Sequence, residues 1–281
     1  MARKRIKRNP GDAPTGIDEI DRLTDLPSCS LADYIKAVSS YVRQQARLSP
    51  GPKKAAQIRL SNALGKALIL DLKKRLPSLG DAFVGEKKVA GALRTTNADV
   101  SETHPLDGLR LAVELKPVNL AVGRAIWNRF GDLRTFAVNL HIKFPFAVVG
   151  GVLVVPTYEE AGTEAARKAQ ATEELAAKED GGAQAVLALS EPVAEYDANT
   201  SSASRRKSTR HLIERAVERL VRAGGRRTEG DAPHLLEGIA VVAYNPDAGR
   251  IDRRLPRKSS GLRWENFIDL LAKAYEARFE S

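Results

Sequence analysis

Apolar residues along the chain follow two rhythms, and the changes between them mark the elements. From Leu109 to Lys116, apolar Leu109, Leu111, Val113 and Leu115 alternate with Arg110, Ala112, Glu114 and Lys116. That period of two predicts a strand with Glu114 and Lys116 neighbours on one face, about 7 Å apart. Asp107-Gly108 ahead of it is a turn signal, because glycine takes positive φ freely and aspartate tolerates it. Residues 98–104 are then expected to pair back antiparallel, which carries Asp99 to the open end of the hairpin, near the Glu114 region. The run 144–155 is almost wholly apolar, with Gly150-Gly151 inside it, and reads as a buried central strand ending at Pro156. Further strands are expected over 237–244 and over 88–96, the latter just ahead of Asp99.

Helical spacing governs the rest. A helix starting at Ser30 or Asp33 and running to about 47 puts Tyr34, Ala37, Val38, Tyr41 and Val42 on one face. Pro50-Gly51-Pro52 breaks it, and a second helix is expected over 53–75 through Ile58, Leu60, Leu64, Leu68, Ile69 and Leu72. Others are expected over 120–138, around Leu212 to Leu220 with Gly224-Gly225 as its cap, and over 262–279 with Trp264, Phe267, Leu270 and Leu271 apolar. Segment 157–204 differs: it is rich in Ala, Glu, Ser and Gly, and 159–180 holds seven acids against three bases. It reads as an insertion. The predicted organisation is a basic arm over 1–30 and a single domain over 31–281, with a core of about 53–156 and 205–245 and a C-terminal helix. The element order indicates an α/β fold with a mixed central sheet.

Charge narrows the class. The 281 residues carry a formal charge of +10, which favours a polyanionic partner such as nucleic acid. Positive residues gather in three places: Arg3 to Arg8, 205–227, and 250–258. One cysteine, Cys29, rules out an intrachain disulfide and a cysteine zinc site, and fits a cytoplasmic setting. No apolar run is long enough for a membrane span, and the basic N-terminus lacks the apolar stretch of a secretory signal. His104, His141, His211 and His234 have no ligand spacing. The absence of a Gly-x-x-x-x-Gly-Lys loop argues against a nucleotide cofactor, and the absence of Gly-x-Ser-x-Gly against a serine hydrolase.

The hairpin supplies the chemistry. Two carboxylates at one spot bind a hard cation such as Mg²⁺, which lowers the pKa of a bound water and stabilises charge on a phosphate. A neighbouring lysine orients that water and offsets phosphate charge. A Glu-x-Lys triplet alone carries little information, since Glu86-Lys87-Lys88 is another, set in a charged stretch with no apolar strand before it.

Over residues 87–156, Asp99 followed by Glu114-x-Lys116 on the next strand resembles the PD-(D/E)xK nuclease superfamily, which includes many type II restriction endonucleases. One departure is plain: Ala98, not proline, precedes Asp99. Asp107, after Pro105-Leu106, is the rival first acid, although Asp107-Gly108 is better explained as the turn. The resemblance implies a restriction-endonuclease-like core with a mixed β-sheet flanked by helices, plus N-terminal helices. It implies Mg²⁺ held by Asp99 and Glu114, water positioned by Lys116, and double-stranded DNA as substrate. A type II restriction enzyme acting as a homodimer is the expected member. In some members the helix before the hairpin adds an acid, and Asp71 is the only acid in that helix here. Phosphate contacts are expected from Arg124 and Asn128, which share a helix face, from Arg205, Arg206, Lys207 and Arg210, and from Arg253, Arg254 and Lys258. The alternatives are a DNA-binding protein without catalysis that uses the basic helix over 205–222, and an RNA or repair nuclease of the same fold.

Overall fold

A computed structural model describes residues 14–24, 26, 28–160 and 206–280. The chain divides into two compact units, Met1–Thr157 with Thr209–Ser281, and Tyr158–Ser208. In the second, β6 (Tyr158–Glu160) pairs antiparallel with β7 (Arg206–Ser208). Of the expected insertion over 157–204, residues 161–204 lie outside the described residues, as does Arg205.

The first unit opens with α1 (Asp18–Asp21), α2 (Leu31–Gln44) and α3 (Pro50–Arg75). Both expected start signals of α2 are used. Ser30 is the N-cap, its side chain accepts from the Asp33 N–H, and the Asp33 carboxylate accepts from the Ser30 N–H. Pro50 and Pro52 separate α2 from α3 by opening α3 rather than preceding it, since the first turn of a helix needs no internal N–H donors. The expected arm over 1–30 is corrected in its second half: Ile17, Ile20, Leu23 and Cys29 are buried in the core. Their apolar side chains anchor the segment. Residues 1–13 lie outside the described residues.

Next come β1 (Lys87–Ala90) and β2 (Thr95–Ala98), where a single strand was expected, because the chain reverses at Gly91 to Arg94 and the two halves pair as a separate hairpin. Asn139 makes that reversal. Its buried side-chain oxygen accepts from the N–H groups of Leu93 and Arg94, and its amide donates to the Arg94 carbonyl. A Cβ at Gly91 would lie within 2.5 Å of the Asn139 amide atoms, so only glycine fits there. Asn139→Ala is expected to cost about 1–3 kcal/mol by orphaning these backbone groups, and to open the Arg94 peptide bond to trypsin. Limited proteolysis of native and variant protein checks this.

The central sheet has the order β3-β4-β5-β8-β9, formed by β3 (Val100–His104), β4 (Gly108–Pro117), β5 (Val148–Pro156), β8 (Gly238–Asn245) and β9 (Arg250–Ile251). The β4-β5 and β5-β8 pairs are parallel and the outer two antiparallel. The fold is thus α/β with a mixed central sheet. Helix α4 (Val122–His141) bridges β4 and β5, α5 (Arg210–Val221) precedes β8, and α6 (Trp264–Phe279) ends the chain. One sheet face packs on α1, α2, α3 and α6, the other on α4 and α5. Trp264 and Phe267 belong to this core. The glycine pair in β5 marks close helix approach from both sides: a Cβ on Gly150 would meet Phe267 at 2.9 Å, and one on Gly151 would meet Leu133 at 2.9 Å.

The alternation in β4 departs from expectation at its start. Glu102 pairs with Leu111 and Thr103 with Leu109, so Arg110 is an extra residue in a β-bulge. The bulge flips Leu109 onto the α4/α5 face, while Leu111, Val113 and Leu115 remain on the other. Beyond the bulge the strict period puts Ala112, Glu114 and Lys116 on the α4/α5 side. Among the described residues no helix is long and apolar enough to cross a membrane.

Candidate active site

Asp99 stands between β2 and β3, with its N–H donating to the Val113 carbonyl. Its Oδ2 accepts the Leu115 N–H at 2.6 Å, which fixes the carboxylate against the strand that carries Glu114 and Lys116. Glu114 is 8% exposed. Lys116 Nζ lies 2.5 Å from Glu114 Oε1 and 3.9 Å from Asp132 Oδ2, on α4. Asp132 also accepts from Arg129 at 2.9 Å. Asp99, Glu114 and Lys116 line a cleft of about 470 Å³ whose far wall is the β1–β2 hairpin, with Glu86, Arg94 and Asn97. The three residues singled out in the sequence therefore meet at one place, at the C-terminal end of the parallel strands.

The rival, Asp107, sits at the other end of β4. It accepts from Arg110 Nε at 2.8 Å and lies 3.4 Å from His104, as a turn residue would. Asp71 is also removed from the site, since its carboxylate binds the Trp264 indole N–H and Lys74. Neighbouring Glu86 lines the cleft but accepts from the Asn97 amide, a surface contact of the hairpin.

Electrostatics distinguish the pair. Burial pushes the Asp99 carboxyl above its ordinary value, against the Leu115 N–H and Lys116, which pull it down. Burial likewise raises Glu114, opposed by Lys116 and reinforced by the charges of Asp99 and Asp132. A carboxyl raised in the folded state binds its proton there more readily than in the unfolded chain. Stability therefore falls as pH rises from the unfolded value through the folded one. Asp99→Asn is accordingly expected to raise the melting temperature by a few degrees at neutral pH, and the gain should vanish in acid, where native Asp99 is protonated. Thermal melts across pH check this.

Glu114 Oε2 is buried and has no hydrogen-bond partner among the described residues. An orphaned buried carboxylate oxygen costs free energy, and a cation would satisfy it. Among the described residues, no group of three or more His, Cys, Asp and Glu is arranged as a closed metal cage. Two carboxylates with open positions suit Mg²⁺, which keeps several waters and uses phosphate oxygens as ligands. The residues present therefore fit a hard divalent ion held by Asp99 and Glu114.

The expected phosphate contacts are scattered. Arg124 and Asn128 are exposed on α4, on the side of the sheet that Glu114 and Lys116 share. Arg253, Arg254 and Lys258 are exposed in the loop after β9. Arg210 is exposed and pairs with Asp252. Arg206 and Lys207 lie in β7, within the second unit. Arg226, part of the basic run 205–227, is buried instead, between the Pro145 carbonyl and Glu237.

Sequence reasoning missed two features. Asp132, the one acid of α4, carries no local signal, and only the packing of α4 on β4 brings it to Lys116. The buried cluster of Glu237 with His141, Arg226 and Arg278 has no local signal, because its members come from four separate stretches. No family model, curated protein or solved structure matches the chain.

Proposed function

We propose that the chain is a Mg²⁺-dependent endonuclease acting on double-stranded DNA. The observation that carries this reading is the meeting of Asp99, Glu114 and Lys116 in one cleft, with a buried carboxylate oxygen that has no partner among the described residues. Mg²⁺, when bound between the two carboxylates, would supply positive charge against the developing phosphate charge and a water of lowered pKa. Asp99 is oriented by the Leu115 N–H and Glu114 by Lys116, so both acids are fixed before substrate arrives. The Lys116 Nζ holds the attacking water and balances the charge of the scissile phosphate. Hydrolysis adds the water oxygen to phosphorus and releases the 3′ oxygen with a proton, leaving a 5′-phosphate.

Within that reading, a type II restriction enzyme working as a homodimer is the proposed member, and the basic side chains of α4 and of the β9–α6 loop are the proposed phosphate contacts. The experiment is incubation of a long, sequence-diverse duplex with the native chain and Mg²⁺, beside RNA and single-stranded DNA. Discrete duplex fragments are expected. A smear retains the nuclease and removes sequence specificity, whereas preferential cutting of RNA moves the assignment to an RNA nuclease. Salt-sensitive binding without cleavage of any substrate favours the non-catalytic DNA-binding protein.

A further inference from the structure

A second depression of about 540 Å³ adjoins the cleft, lined by Leu93, Trp127, Phe130, Arg134 and His234. The two share a rim. Arg94 lines the cleft and Leu93 the depression, as consecutive residues of the β1–β2 tip. On α4, Asp132 faces Lys116 while Gly131 and Thr135 border the depression.

Its walls are unusual for a surface. Leu93 is 67% exposed, and Asn139 accepts from its backbone N–H. Trp127 and Phe130 are one turn apart and only half-buried. Each ring carries arginine: the Arg134 guanidinium, part of the lining, lies 5.9 Å from the Phe130 ring centre, and those of Arg219 and Arg215, outside the lining, lie 4.4 Å and 5.6 Å from that of Trp127. Flat apolar rings flanked by cations suit a ligand with a flat π-face and an attached negative charge, which is what a nucleotide offers. An apolar peptide would use the rings but leave the arginines unmatched.

We infer that this depression is a stacking site for an unpaired nucleobase of the strand whose phosphate lies in the Asp99–Glu114–Lys116 cleft. The occupant is a base out of the duplex stack, because Trp127 and Phe130 would have to lie against its face. The inference rests on the nuclease reading for the identity of the strand, but base binding itself needs neither metal nor cleavage. The substrate class it implies is DNA with an unpaired, frayed or flipped nucleotide beside the cut.

Tryptophan emission reads the site directly. The chain has two tryptophans, and Trp264 is buried with its indole N–H on Asp71. The test titrates the full chain, in EDTA, with a short oligothymidylate and with an abasic oligonucleotide of equal length and charge. The oligothymidylate should quench emission and bind at least about fivefold more tightly than the abasic strand, the lower end of what base–aromatic stacking gives. Phe130→Ala, and Phe130→Leu as the variant that preserves packing, should remove that preference and leave abasic binding unchanged. Equal affinity for the two strands, unchanged emission, or native preference in Phe130→Leu overturns the inference. Base preference without any Mg²⁺-dependent cleavage by the native chain removes the nuclease reading alone. Cleavage without base preference removes this inference alone.

Discussion

Lys116→Ala is expected to slow DNA cleavage by roughly 10²–10⁴-fold, the range that a positioned proton-handling group contributes, with little change in DNA affinity. The side chain reaches the cleft from the end of β4 and touches Glu114, so its loss acts on the reacting centre, whereas affinity comes from charges spread over the surface. A second effect follows from the burial of Glu114. Burial already pushes that carboxyl up, and Lys116 is the strongest influence pulling it down. Without the lysine, Glu114 keeps its proton to higher pH, so the residual activity should begin its rise with pH later than in the native chain. Single-turnover cleavage across pH, with gel-shift affinity in EDTA, measures both effects. An unchanged rate would leave Glu114 and Lys116 as a structural ion pair.

Glu237→Ala is expected to destabilise the fold by about 3–5 kcal/mol, as loss of one partner from a buried charge cluster does. Glu237 Oε1 lies 3.1 Å from Arg226 and 2.8 Å from Arg278, and Oε2 lies 3.2 Å from His141. Its Oε2 also accepts the Val149 N–H at 2.8 Å. The carboxylate thus joins the start of β8 to β5, α4 and α6, and its removal strands the buried Arg226. Burial alone would raise its pKa, but the hydrogen bond and charge of His141, with Arg278 and the Val149 N–H, hold it below the ordinary value. A lowered carboxyl contributes stability above its unfolded value of about 4.3, and that stability is lost as pH falls through the folded value. Native protein should therefore lose stability steeply in acid, and Glu237→Ala should show a flatter acid limb. Urea unfolding at neutral and acid pH tests this. A variant as stable as native would mean that the cluster is solvated.

Much of the fold is legible from period and punctuation. The alternation in β4, the apolar run of β5 and the Ser30/Asp33 cap are local signals with local causes. What the chain conceals depends on pairing at a distance. The bulge at Arg110 is invisible in the alternation, because β3 sets it, and it costs Leu109 its expected face. Splitting of the strand before Asp99 depends on Asn139, which lies on α4. The candidate site was legible because its three residues fall on one hairpin, where a two-residue period and a turn suffice to place them. Asp132 comes to it from α4, Trp127 and Phe130 come to the neighbouring depression, and Arg226 left the basic surface for Glu237, through tertiary packing that no window of sequence contains.

The most direct measurement is cleavage of long duplex DNA by native chain and by Asp99→Asn, each with Mg²⁺ and with EDTA, after both proteins are matched for folding by thermal melts. The account predicts cleavage by the native chain in Mg²⁺ alone, and none by Asp99→Asn, which should nevertheless melt at the same or a higher temperature. Equal cleavage by both, or cleavage that persists in EDTA, would contradict a metal site built on Asp99 and Glu114.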